Sequence, residues 1–250
     1  MTASDPNLWV LRPRPNPRAT LRLICLPNAG GGPQEYHGWP ASLPPDVEVC
    51  AVNLPGRGRR FGEPMYRRLG PLVDDLAVGL APWLDRPFAL FGHSMGALVA
   101  FELALAGQRR QHQEPVHLFV AGAAAPQFPN PRRFHQLPDS ELIEAVRQLN
   151  GVDPEVLQSA ELVGLLLPVL RADFEVVETY TCAQPGTLGC PLSVFGASAD
   201  QIVPTAQLDP WRVHTTGRCD MTVFDGDHFF IRSKAGDLLA SIAERLTAVR

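Results

Sequence analysis

The sequence predicts an α/β protein: a mostly parallel sheet flanked by helices, carrying a helical insertion in its second half. Three observations lead there. Short runs that are apolar throughout recur along the chain, as they do in strands buried on both faces. Segments with helical spacing separate several of these runs, the pattern of a parallel sheet covered on both sides. The alternation then stops over residues 127–186, where no strand pattern is present.

Residues 22–27 (RLICLP) form the first apolar run and empty into Asn28-Ala29-Gly30-Gly31-Gly32, a strand delivered into a flexible loop. Residues 48–55 (EVCAVNLP) repeat this and end in Gly56-Arg57-Gly58-Arg59-Arg60. Apolar residues at 69, 72, 73, 76, 80, 83 and 84 have helical spacing. Residues 87–92 (PFALFG) are a third strand, running through His93-Ser94-Met95-Gly96 into an Ala/Leu-rich helix at 97–106. Residues 116–121, 191–196 and 221–224 supply a fourth, fifth and sixth strand, and 237–249 a closing amphipathic helix. Within the insertion, 140–150 and 161–180 read as helices, with Pro168 expected to kink the second or begin a new one. These assignments divide the chain into a core, 1–126 with 187–250, and a helical insertion, 127–186, expected to lie as a lid over the strand ends.

With 250 residues, the chain suits one ordinary domain and can bury roughly 70–75% of its unfolded surface without disulfide or metal staples. Hydrophobic residues are 45%, charged residues 19% and the net charge −4, which argues against a nucleic-acid coat or a polybasic membrane anchor. Cys25, Cys50, Cys182, Cys190 and Cys219 are odd in number and form no CxxC pair, so they read as reduced thiols. The first twenty residues contain Arg12, Arg14 and Arg18 and no apolar core of a secretory leader, and no run approaches the ~18 apolar residues of a bilayer span. A cytoplasmic protein without metal or cofactor is expected.

Gly92-His93-Ser94-Met95-Gly96 is a GxSxG sequence between a strand and a helix, the context in which a sharp turn lifts a serine above the sheet. A serine hydroxyl needs a base. Among the seven histidines, His228 alone follows a strand in a tight turn, Asp225-Gly226-Asp227-His228. His93 reads as packing or hydrogen bonding, and His37, His112, His117, His135 and His214 lack such punctuation. The acid that orients the base is expected between serine and histidine in chain order. Asp200, at the end of the penultimate strand, is favoured; Asp225, Asp227 and Asp173 are its rivals. The backbone N–H of Met95 and that of Ala29 in the glycine-rich loop are the candidate oxyanion donors. Such a set supports acyl transfer to water.

Several pieces together resemble one family. These are Leu26-Pro27-Asn28-Ala29-Gly30-Gly31-Gly32, Leu54-Pro55-Gly56-Arg57, the serine motif, Leu137-Pro138-Asp139 with Glu141-Leu142, Leu167 through Asp173, Gly196 with Asp200, and Gly226-Asp227-His228-Phe229-Phe230. In this order, over nearly the whole chain, they are similar to the type II thioesterases, α/β-hydrolases that accompany polyketide and nonribosomal peptide synthetases. Asn28 departs from the family, where an aromatic or His residue is more usual.

The resemblance implies a catalytic triad of Ser94, Asp200 and His228, oxyanion donors at Ala29 and Met95, and a mobile lid lining an acyl channel. It implies a substrate carried on the phosphopantetheine arm of an acyl or peptidyl carrier protein, an editing role that clears stalled or wrongly loaded acyl groups, and a monomeric enzyme. The residues alone leave open a carboxylesterase or lipase acting on free esters, and a catalytically silent binding module. Leu162, Val163, Leu165, Leu166, Leu167, Val169 and Leu170 are either acyl-pocket lining or lid core. Arg57, Arg59 and Arg60 are either a dock for an acidic carrier or phosphate, or a solvated basic loop.

Overall fold

A computed structural model describes residues 8–111, 113–182 and 186–248; His112 and the expected helix end at residue 249 lie outside them. Among the described residues, seven strands form one sheet: β1 (Val10–Leu11), β2 (Leu21–Leu26), β3 (Val47–Val52), β4 (Phe88–His93), β5 (His117–Ala121), β6 (Leu192–Ala197) and β7 (Cys219–Phe224). Their order across the sheet is β1-β3-β2-β4-β5-β6-β7. β1 pairs antiparallel with β3, and every other neighbouring pair is parallel. The six expected strands are all present. β1 adds an antiparallel edge, too short to leave a period in the sequence.

Alternate residues of each central strand enter two separate cores. Ile24, Leu26, Cys50, Val52, Leu90, Leu118, Val120, Leu192 and Val194 pack beneath α1 (Leu69–Gly79) and α2 (Met95–Arg109). Leu23, Cys25, Val49, Ala51, Phe91, Phe119 and Phe195 pack on the opposite face with Leu238, Leu239, Ile242 and Leu246 of the closing helix. Burial on both faces is why these strands read as continuous apolar runs. The helix expected to run to residue 84 ends at Gly79 and passes into a 3₁₀ turn at Ala81–Trp83, where Pro82 removes a backbone donor.

Between β5 and β6 the chain forms α3 (Asp139–Gln148), α4 (Pro154–Gln158) and α5 (Ala160–Glu178). Their own small core is Leu142, Val146 and Leu170, with Phe134, Leu137 and Phe174 packed against it. α5 continues unbroken through Pro168. The missing proline N–H leaves the Gly164 carbonyl, four residues back, without its helical donor, and both residues face solvent, where water can serve it. After β7 come the single-turn helix α6 (Phe230–Ser233) and α7 (Ala235–Ala248). No described helix is long and apolar enough to cross a membrane.

Candidate active site

The carboxyl ends of β4, β6 and β7 meet at one point. At the end of β4 the chain turns at Ser94, whose φ is 54° and ψ −115°. A side-chain-bearing residue held at positive φ costs about 1–3 kcal/mol and persists only where its surroundings enforce it. Here they do. A Cβ on Gly92 would lie 2.1 Å from the Gly96 carbonyl oxygen, and one on Gly96 2.1 Å from that of Leu26, so both flanking glycines are required by backbone contact. Ser94 N–H donates to the Ala121 carbonyl at 2.8 Å, fixing the turn to β5. Met95, the first residue of α2, carries one of the N–H groups a helix start leaves without an internal acceptor.

His228 sits in the loop after β7 and is buried. Its Nε2 lies 3.0 Å from Ser94 Oγ and its Nδ1 2.8 Å from Asp200 Oδ2. An ionised carboxylate only accepts, so Nδ1 carries the hydrogen and Nε2 is left to accept the serine proton. The other oxygen of Asp200 accepts the N–H groups of Ile202 at 2.7 Å and Val203 at 3.0 Å. Burial alone would raise this carboxyl, but the hydrogen bond and charge of His228 and the two backbone donors outweigh it and hold it below the usual range.

The rival acids are engaged elsewhere. Asp225 accepts from Ser198 Oγ, Asp227 caps Phe229 N–H, and Asp173 lies in an ion pair with Arg57. His93 is fully buried; its Nε2 is 2.9 Å from the His228 carbonyl oxygen, which fixes the hydrogen on Nε2. Its Nδ1 is buried without a partner. Burial, reinforced by the neighbouring His228, pushes the ring's pKa down to about 3, so it stays neutral.

Two hollows meet at the serine. The larger, about 100 Å³, runs from Ser94 past Pro126, Phe128, Phe134, Val177 and Val203. The smaller, about 40 Å³, is walled by Asn28, Val146, Leu149, His228 and Phe229. Ala29, Phe174 and Ile202 line both. Asn28 is buried and its Nδ2 donates to the Ala29 carbonyl at 3.0 Å.

Two groups depart in part from expectation. In the apolar stripe of α5, Leu170 lies in the insertion's core and lines the smaller hollow, with Leu166 and Leu167 packed against that core, while Leu162 and Leu165 are 44% and 46% exposed. The larger hollow is walled by the far end of α5, at Phe174, Val177 and Glu178, and by the segment 126–134, whose proline-rich sequence has no period to read. The basic loop also differs from both expectations. Arg57 is paired with Asp173, and Arg60 is buried against the Trp9 ring and bonded to Glu63, so neither greets a partner nor lies free in solvent; Arg59 alone of the three is exposed.

A parallel sheet that presents a strained serine, a histidine and a carboxylate in one hydrogen-bonded line, with the serine motif between strand and helix, defines a serine hydrolase of the α/β-hydrolase class. The particular family follows from comparison: residues 21–248 match the thioesterase domain family, and the chain belongs to it. It is similar to linear gramicidin dehydrogenase LgrE of Brevibacillus parabrevis, 41% identical over 98% of this chain and 95% of that protein. It is similar to thioesterase PikA5 of Streptomyces venezuelae, 34% identical over 98% and 88%. Among solved structures, the type II thioesterase BorB from the borrelidin biosynthetic cluster superposes with a TM-score of 0.88 at 35% identity, covering 100% of both chains. The first name speaks of a dehydrogenase; the matching family, PikA5 and BorB are thioesterases. The protein is a thioester hydrolase.

Proposed function

We propose that the protein removes acyl groups from the phosphopantetheine arm of an acyl or peptidyl carrier protein, clearing stalled or wrongly loaded units during polyketide or nonribosomal peptide assembly. The line of hydrogen bonds from Asp200 through His228 to Ser94, opening on two apolar hollows, carries the chemistry. The biosynthetic cluster named with the type II thioesterase BorB supports the carrier as substrate.

In this reading Ser94 Oγ attacks the thioester carbonyl carbon as its proton passes to His228 Nε2, and the C=O electron pair moves onto oxygen. The N–H groups of Ala29 and Met95 receive that oxyanion. The pair returns, the C–S bond breaks, and the departing thiolate takes the proton from His228. Water then attacks the acyl-serine with His228 again as base, releasing the acid and restoring the Ser94 hydroxyl. The insertion over the strand ends acts as a mobile lid. The protein works as a monomer in the cytoplasm, without metal or cofactor.

Hydrolysis rates on acyl-carrier thioesters and on matched free esters test the proposal. The carrier substrate is expected to win in kcat/KM by more than about tenfold, a margin that differential transition-state binding readily supplies. A strong preference for free esters would replace it with a carboxylesterase. Ser94→Ala should retain the fold and carrier binding while turnover drops to the residue that binding and the oxyanion hole alone support. Failure of a fluorophosphonate to label Ser94 in the parent would indicate a binding module instead.

A further inference from the structure

The loop carrying Ala29 is held only in part from within, by Gly31 N–H donating to the Asn28 carbonyl and Asn28 Nδ2 to that of Ala29, each at 3.0 Å. It is followed by three glycines, and Gly30 adopts φ +76°, a conformation glycine permits but does not enforce. Further restraint comes from two distant elements. Asp173, on α5, accepts the Gly30 N–H through Oδ2 at 2.8 Å. Arg57, in the loop after β3, meets both oxygens of that carboxylate, Nη1 to Oδ2 and Nη2 to Oδ1, each at 2.8 Å. The same Nη1 donates to the Gly31 carbonyl at 2.8 Å. The Arg57 and Asp173 side chains are only 11% and 6% exposed, so these charge-assisted bonds are poorly screened and geometrically strict.

Apolar contact reinforces the clamp. Leu170 packs on Gly30 so closely that a Cβ there would lie 2.5 Å from its Cδ2, and Leu166 follows one turn behind. Leu166, Leu170, Asp173 and Phe174 have the spacing of one helical face, and that face meets the oxyanion loop. Phe174 and Ala29 then form shared wall at Ser94.

We propose that Asp173 and Arg57 are positioning residues for the oxyanion hole. The carboxylate fixes the Gly30 peptide, the guanidinium fixes the carboxylate and the Gly31 peptide, and Ala29 N–H is thereby aimed at the acyl oxygen. The hole is complete only while α5 is seated on the loop, so the insertion contributes to transition-state stabilisation as well as covering the site. This rests on the reading of Ala29 as an oxyanion donor. Neither side chain touches the substrate.

The experiment compares Asp173→Ala, Asp173→Asn and Arg57→Lys with the parent for kcat, KM and affinity for an alkyl trifluoromethyl ketone. That ketone bonds to Ser94 Oγ, gives up its C=O pair to oxygen and so needs the same donors, while the serine proton goes to His228. Asp173→Ala should lower kcat by about 10²-fold or more with KM within a factor of about two, and lower ketone affinity in parallel. Asp173→Asn, which keeps an oxygen for Gly30 N–H, should recover part of the loss, and Arg57→Lys, which loses the fork, should fall between. A merely structural role would reduce the fraction of sites labelled by fluorophosphonate and leave the ketone affinity of the remaining sites unchanged. Unchanged ketone affinity in Asp173→Asn and Arg57→Lys, or a loss confined to KM, overturns the proposal; these two milder variants decide alone if Asp173→Ala does not fold. The assays run on a p-nitrophenyl ester as well as a carrier thioester, because an oxyanion forms with both. A parent that ignores the carrier substrate defeats the carrier reading and leaves the ester assay to judge the clamp.

Discussion

Asp200 has no task visible in the structure beyond holding His228 and the two backbone N–H groups that follow it. Asp200→Asn preserves that shape but offers an amide where Nδ1–H needs a full carboxylate, inviting the wrong tautomer. A loss of about 10⁴ in kcat with an unchanged melting temperature is expected, read by steady-state kinetics beside calorimetry; a small loss would pass the role to another acid. Gly96→Ala is expected to fail differently. Its Cβ would press on the backbone of Leu26, which cannot retreat within a central strand, so soluble folded protein should be lost along with activity. Ser94, Asp200 and His228 were legible in the sequence because each comes shortly after a strand, Ser94 where the strand turns into a helix and His228 at the end of the Asp225-Gly226-Asp227 turn, a local mark. Arg57 was not. Its partner lies 116 positions away, and nothing near an arginine in sequence tells a buried fork from a solvated one.

At the scale of elements, β2 to β6 were legible because both faces of each are buried, and most ends moved by one residue; β3 ends three residues before its expected bound, and the half-exposed edge strand β7 starts two residues earlier than expected. The two-residue β1, the short α4 and the single-turn α6 were missed, being shorter than the window in which a period can be seen. α5 was legible as a helix; no new helix begins at Pro168, since packing of Leu170 and Val169 below the proline overrides propensity. That override has a cost that can be measured. Pro168→Ala restores the donor to the Gly164 carbonyl at a site where proline is disfavoured by up to about 3 kcal/mol. Hydrogen exchange in the first two turns of α5 should slow, and the melting temperature should rise. Unaltered exchange would mean that tertiary contacts, not the missing bond, limit this half of the helix.

For the whole molecule, buried neutral histidines set the response to acid. Burial lowers His93 to about 3 and His117 to about 4, and His214 shifts the same way. The unfolded chain takes up these protons near pH 6.5, so between the two ranges unfolding binds protons and stability falls as pH falls. From pH 7 to pH 5, His93 and His117 together should remove on the order of 4 kcal/mol, seen as a lower urea midpoint. Glu35, whose carboxyl is raised by burial, works in the opposite sense at the acid end. His93→Gln should flatten part of the curve. The two hollows have a different consequence at this scale. Since they meet at Ser94 from separate directions, the nucleophile stands at a crossroads and not at the bottom of a well. The freed acid and the freed thiol can depart by separate doors, and inhibition by the two products together should be multiplicative, as for ligands that bind at once, where mutually exclusive binding would give only the sum.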